Sequence, residues 1–392
     1  MHIPSEKVYN KMRSEIASLW YVPANNGDET ELIIKAPTPT IKAAILGCPL
    51  KLFFGKKDSY LCKAVMIEDV PGSPVIISGV QIEAEEHQAL FKSIQQRMFP
   101  VFLFNEMDIC VASAVIQLKI EDSEKILSLV KSENQLYTGN FDSLASAVLD
   151  CFEYTLDKAL PYQNVHEMDI VEIAPDIGEW KTNKIYFLNQ ALAQKTDIAE
   201  KDEGGNFERT IWGSLESVFP TTLYKSPKVK IGEKTRELID VYAYYEYGSF
   251  LIECKDLSVI QAGYERNMDK RIAGIQKQIK KALKQLVGAT NAFKRGDIIL
   301  DNKNNGIVVD RSQPPHCIVL ITELITSGDW NEIAGLLIDA VQQTGAFFHI
   351  LDFREFITLL KQSSGDPKLI DYNLMERCKL SLEKRSVLIR GI

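Results

Sequence analysis

Apolar residues recur along this chain in two rhythms, a helical one of three to four residues and a strand one of two. Val8, Met12, Ile16 and Leu19 fall at helical spacing and predict a helix over 7–20. The β-rich runs ELIIKA, KLFFGK, YLCKAVMI and PVIISGVQI follow, with turn residues between them. A helix over 83–97, a strand over 108–119 and the helical patterns SEKILSLVKSENQLY and FDSLASAVLDCFEYTLDKAL complete an expected α+β domain at residues 1–165. The polar stretch AQKTDIAEKDEGG, residues 193–205, reads as linker, within a connecting segment at 166–205. Beyond it the pattern predicts a helix at 206–218, strand or loop at 223–231, strands at 238–246 and 250–255, and a long helix at 269–293. A strand at 317–322, a helix at 330–343, a strand at 347–351 and a helix at 353–360 follow. Helices alternating with short apolar strands imply an α/β domain over 206–392, with a mixed central sheet covered on both faces.

Composition narrows the class. At 392 residues the chain exceeds what one hydrophobic core sustains, which agrees with two domains. An apolar fraction of 45% and a charged fraction of 25% are those of a folded globular protein. Runs such as FPVFLF and HCIVLI are far shorter than the roughly 20 residues that span a bilayer, and the first residues lack the apolar core of a signal peptide. The expectation is a cytoplasmic protein with no membrane partner. Seven scattered cysteines, with no CxxC pair and no histidine at zinc spacing, read as reduced thiols. The formal charge of −8 argues against a uniformly basic surface, yet Arg266, Lys270, Arg271, Lys277, Lys280, Lys281, Lys284, Lys294 and Arg295 cluster with only Asp269 as a nearby acid.

The chemistry concentrates in RELIDVYAYYEYGSFLIECKD, residues 236–256. Two β-rich runs joined by a turn around Tyr247, Gly248 and Ser249 predict a hairpin. If its loop has two residues, cross-strand partners have an odd index sum. Asp240, Tyr242 and Tyr244 then share a face with Leu251, Glu253 and Lys255, while the opposite face is almost wholly apolar. The expectation is that the apolar face packs and the other gathers two carboxylates and an amine. Mg²⁺ binds through one or two carboxylates and keeps several waters, so Asp240 and Glu253 suffice as ligands, with the Cys254 backbone carbonyl as a further oxygen. Lys255 would orient or help deprotonate an attacking water and stabilise developing charge.

An acid, a hairpin and Glu253-Cys254-Lys255 resemble the signature of the PD-(D/E)XK, or restriction-endonuclease-like, nucleases. The preceding GGNFERTIWGSLESVFP resembles the opening helix of their Mrr-like members. The resemblance covers residues 200–360. It implies a restriction-endonuclease-like α/β/α core and Mg²⁺- or Mn²⁺-dependent hydrolysis of nucleic acid, DNA foremost, in bacterial anti-phage defence or restriction. It also implies Glu208 as a third acid and metal ligand, with Glu216 as its rival, and Gln278 and Gln285 near the scissile phosphate. A dimer or higher homo-oligomer follows by the same analogy. Residue 239 is Ile where the signature has Pro, and a long insert separates Phe293 from Cys317. Residues 1–165 resemble no family, and a sensor, specificity or oligomerisation role there would bring in a regulatory partner.

Blander readings stand beside these. Glu-X-Lys alone is common, and a buried Glu253–Lys255 or Asp240–Lys255 ion pair at a sheet end, in a noncatalytic binding or scaffold protein, explains the same residues. The stripe Lys270, Lys277, Lys281 and Lys284 is equally a phosphate contact or a solvated helix face. For Tyr242 and Tyr244, packing is favoured over stacking on a base. His316 and Cys317 are taken as structural. Gly204-Gly205 lacks the Lys and Ser/Thr of a phosphate-binding loop, which excludes that class of nucleotide hydrolysis.

Overall fold

The computed structural model describes residues 3–132, 135–162, 165–188, 193–257 and 259–389. It divides into two compact units, residues 1–184 with 263–266, and residues 185–262 with 267–392.

In the first unit, α1 (Glu6–Ser14) is capped by Ser5, whose hydroxyl accepts from the Val8 N–H. The helix ends before Trp20, because Leu19 to Val22 enter β1 (Ser18–Ala24), where Trp20 pairs with Ile33 of β2 (Glu29–Lys35). Met12 is the buried anchor of α1 while Ile16 is exposed, so the helical spacing past residue 14 was coincidental. α2 (Thr38–Ile45), the antiparallel strands β3 (Leu50–Lys57), β4 (Tyr60–Ile67) and β5 (Val75–Gln81), and α3 (Ala84–Gln96) come next. FPVFLF lies within β6 (Met98–Phe104), between β2 and β7 (Cys110–Gln117); a central strand reads as a continuous apolar run. α4 (Ile120–Val130) and α5 (Ser143–Leu156) precede β8 (Ile170–Ile173) and two short strands, β9 (Asp176–Ile177) and β10 (Lys181–Thr182). Two sheets result, ordered β1-β2-β6-β7-β10 with β9 also on β7, and β5-β4-β3-β8.

The second unit opens with β11 (Lys184–Leu188), whose first residue still belongs to the first unit, and β12 (Ala193–Asp197). Residues 193–205, expected as a linker, are therefore part of a folded unit. α6 (Glu203–Leu215) follows, with Gly204 and Gly205 inside its first turn rather than in a preceding loop. The strands β13 (Leu223–Lys225), β14 (Lys228–Ile231), β15 (Lys234–Glu237), β16 (Val241–Tyr245) and β17 (Gly248–Lys255) lead to α7 (Val259–Ala262) and α8 (Met268–Arg295). After these come β18 (Ile298–Leu300), β19 (His316–Ile321), α9 (Asn331–Thr344), β20 (Phe347–Asp352), α10 (Phe353–Gln362) and α11 (Pro367–Lys384), the last without a counterpart in the expected elements.

The central sheet runs β13-β16-β17-β19-β20, antiparallel as far as β17 and parallel from there on. Leu251, Cys317, Val319, Phe348 and Ile350 share one core with Ile279 and Leu286 of α8 and Leu337 of α9. On the other face Phe250 meets Phe219, which follows α6, at 5.3 Å, and α10 and α11 approach β20. The chain is thus a mixed α/β protein, and this unit carries the expected mixed sheet between helical layers. The insert after α8 contributes β18 to a separate three-stranded ribbon, β15-β14-β18.

Candidate active site

The β16–β17 hairpin has a two-residue loop, Glu246 and Tyr247, one position earlier than expected. Its pairs Val241 with Ile252 and Tyr245 with Gly248 have an odd index sum. Asp240, one residue before β16, therefore faces Glu253, and Lys255 projects to the same side. The Lys255 ammonium donates to Glu253 Oε1 and lies 4.0 Å from Asp240 Oδ2. Asp240 is held from two directions. Its Oδ2 accepts the Cys254 N–H at 2.7 Å, and its carbonyl accepts the Ser226 N–H at 2.7 Å. In an antiparallel pair the N–H and C=O of one residue point to the same side, so the Cys254 carbonyl also lies toward Asp240.

The face that gathers Asp240, Glu253 and Lys255 is itself packed along most of its length. Tyr242 and Leu251 are 0% exposed and lie in the core beneath α8, because the strand has a helical layer on each side. Tyr242 stacks on Tyr224 and its hydroxyl meets Ser249 at 3.1 Å, so it is a packing residue. Only the carboxyl end of β17 reaches beyond that core, and even there Glu253 is 1% exposed.

α6 delivers the third acid. Asp202 caps the helix by accepting the Gly205 N–H, and a side chain at Gly205 would collide with that carboxylate at 2.2 Å. Glu203, buried at the same helix start, accepts the N–H groups of Ile260 and Gln261, each at 3.0 Å, which ties α6 to the segment after β17. Phe207, Ile211 and Trp212 bury one side of the helix. Glu208 then lies in the field of Asp240 and Lys255. Glu216 caps the far end of α6, eight residues or about 12 Å along the axis, so Glu208 is the acid that faces the cluster.

Burial, then the Asp240 charge, raises the Glu253 carboxyl to about 7. The same two causes raise Glu208 to about 7. Desolvation also pushes Asp240 up, against the opposing pull of Lys255 and the Cys254 N–H. Lys255 loses solvation too, but Glu253 and Asp240 outweigh that and hold its ammonium above the ordinary lysine value. Lys225, on β13 opposite Val241, was not anticipated. Its burial lowers its ammonium while Glu208 pulls it back up. A lysine in a short strand carries no local mark of such a role, because only strand pairing brings it beside Asp240. Three carboxylates thus face two amines, a surplus of one negative charge if all ionise.

Among the described residues, no three His, Cys, Asp or Glu side chains gather closely enough to form a ready-made metal cage. Mg²⁺ does not require one, since one or two carboxylates plus water and substrate oxygens satisfy it. Asp240 and Glu253, opposed across one hairpin with an amine drawn against both, fit such a two-acid site, with Glu208 and the Cys254 carbonyl as outer candidates.

The substrate-binding candidates on α8 are less well placed. Gln278 is half-buried, while Lys277, Lys281, Lys284 and Gln285 are exposed on the helix. None of the five makes a hydrogen bond or ion pair with the acidic cluster. Lys280 of the same helix is already paired with Glu332 of α9 at 2.6 Å. His316, taken as structural, is buried and bridges His349 at 3.0 Å and Asp371. All seven cysteines are buried and free. No helix among the described residues is long and apolar enough to cross a membrane. No protein-family model, curated protein or solved structure matches the chain.

Proposed function

We propose that the second unit is a Mg²⁺-dependent nuclease hydrolysing phosphodiester bonds of nucleic acid, a restriction-endonuclease-like enzyme with Asp240, Glu253 and Lys255 at its centre. The observation that carries this reading is the convergence of Lys255 on both Asp240 and Glu253, acids 13 positions apart in sequence, at the open end of one hairpin.

Asp240 and Glu253 would hold the ion, and Glu208 would supply a further oxygen directly or through water. The bound cation supplies Lewis-acid polarisation of the phosphoryl oxygens and a lowered pKa for its water. Lys255 stays protonated at neutral pH, so it acts as a donor. It orients the attacking water and neutralises charge that grows on the non-bridging oxygens as the new P–O bond forms and the leaving oxygen departs. The Cys254 N–H keeps Asp240 aimed at the cluster. DNA as substrate, anti-phage defence and a homo-oligomer rest on the family resemblance, and a regulatory role for the first unit rests on the need to restrain a nuclease.

A second reading has its own support: Lys255 already neutralises Glu253, as in a structural ion pair of a noncatalytic, nucleic-acid-binding or scaffold protein. Purified protein, Glu253→Ala and Lys255→Ala, incubated with plasmid, single-stranded DNA and RNA in Mg²⁺, Mn²⁺ or EDTA, separates the two. Cleavage that requires metal and falls about 10²-fold or more in both variants is expected. Cleavage persisting in both variants overturns the assignment, and no cleavage under any condition favours the scaffold.

A further inference from the structure

The ribbon β15-β14-β18 has no task in the site as described, yet it is built directly onto it. β14 begins three residues after Lys225, and β15 ends three residues before Asp240. Its base is fastened to the site by the hydrogen bond from the Leu238 N–H to the Pro227 carbonyl, 2.8 Å, and by the Ser226–Asp240 bond. Val229 and Ile299 pack into the core with α8, so the ribbon is a rigid extension rather than a loose loop.

Its other face is mixed: Lys228 and Lys230 share it with Glu237, Thr235, Ile298 and Leu300. Antiparallel partners share a face, and side chains alternate, so Lys228 and Lys230 lie opposite the buried Val229. Lys234 and Arg236, whose partners Ile231 and Val229 put them on the Val229 side, are exposed on the edge strand β15. Among the described residues none of these four cations has an ion pair or side-chain hydrogen bond. The stretch KSPKVKIGEKTRE, residues 225–237, carries five cations and two acids, a net of +3 in a chain whose total is −8. A net positive charge concentrated beside a site and held on a stiff support attracts a polyanion.

We propose that this ribbon is the grip for the nucleic-acid backbone, with Lys228 and Lys230 contacting phosphates flanking the one presented to Lys225 and Lys255. Lys230 is five residues from Lys225, so the track extends at most about 17 Å from the site, within reach of neighbouring phosphates. The contact is electrostatic and reads no base sequence. This inference rests on the nuclease reading. It also shifts substrate binding away from the exposed lysines of α8.

The test uses the full chain. Binding of labelled duplex DNA, single-stranded DNA and RNA by Glu253→Ala is followed by fluorescence anisotropy across 50 to 200 mM salt. The measurement is repeated with Lys228→Ala/Lys230→Ala and with Lys228→Arg/Lys230→Arg added, alongside melting curves to confirm folding. The alanine pair should weaken binding evenly across sequences and lower the slope of log K against log salt by about 1.8 on duplex, or about 1.4 on a single strand. The arginine pair should restore both. In the otherwise wild-type enzyme the alanine pair should raise KM and leave kcat in place. Cleavage and binding that are indifferent to the alanine pair overturn the ribbon assignment alone. A wild-type protein that neither binds nor cuts nucleic acid overturns the nuclease reading and the ribbon with it.

Discussion

Each unit buries a lysine against a carboxylate, and the two pairs are built in opposite ways. In the first unit Lys35 donates to the Met12 carbonyl at 2.8 Å, the Glu15 carbonyl at 2.7 Å and Asp108 Oδ1 at 2.5 Å. Its three protons each have an acceptor, the Asp108 carboxylate among them, which is how a lysine survives 2% exposure. In the second unit Lys255 is shared between Glu253 and Asp240, Glu208 adds a third acid, and two of the three carboxyls titrate near 7. The first arrangement gives each ammonium proton its own acceptor. The second has carboxylate to spare in a desolvated corner, and such a surplus is relieved by a proton or by a cation.

That contrast is open to direct attack. Asp108→Ala takes from the buried Lys35 the carboxylate it donates to and should cost about 3–5 kcal/mol in chemical denaturation. Glu253→Gln should leave stability unchanged or higher in chelator at neutral pH, and equal losses at both sites would erase the distinction. Mg²⁺ or Mn²⁺ at a hundredfold excess over its Kd should stabilise the wild type by about 2.7 kcal/mol, seen as a rise in Tm, and Glu253→Ala should abolish the rise.

pH provides a weaker effect of definite sign. The carboxyls of Glu253 and Glu208 are raised in the folded state from 4.5 to about 7, so the folded chain holds protons that the unfolded chain has released. The contribution of these two carboxyls to stability in chelator should therefore be full below about 4.5, fall as pH rises to about 7, and then level off. Glu253→Gln should flatten that slope, and a slope unaltered by the substitution counts against the placement of these acids. The smallest effect separates the two ends of α6. Glu208→Gln should slow cleavage about tenfold, roughly 1.4 kcal/mol, while Glu216→Gln should leave it alone.

The parts of this protein legible in the sequence are those governed by local periodicity. Alternation along 238–255 was enough to put Asp240, Glu253 and Lys255 on one side of a hairpin, because a two-residue loop sets the parity whichever residues pack on either face. The long amphipathic helix at 269–293 was equally plain, as was the mixed sheet. What remained hidden depends on partners remote in sequence. Whether Trp20 continued a helix or entered a strand turned on Ile33, and the burial of Tyr242 came from α8 rather than from any pattern in its own strand. Glu208 lies within α6 and Glu216 caps it, and only the packing of α6 beside β13 and β17 brought Glu208 into the field of Asp240. The same holds for Lys225 and the cationic ribbon: strand pairing between distant segments moved them beside Asp240, and pairing of that kind leaves no mark in the residues on either side.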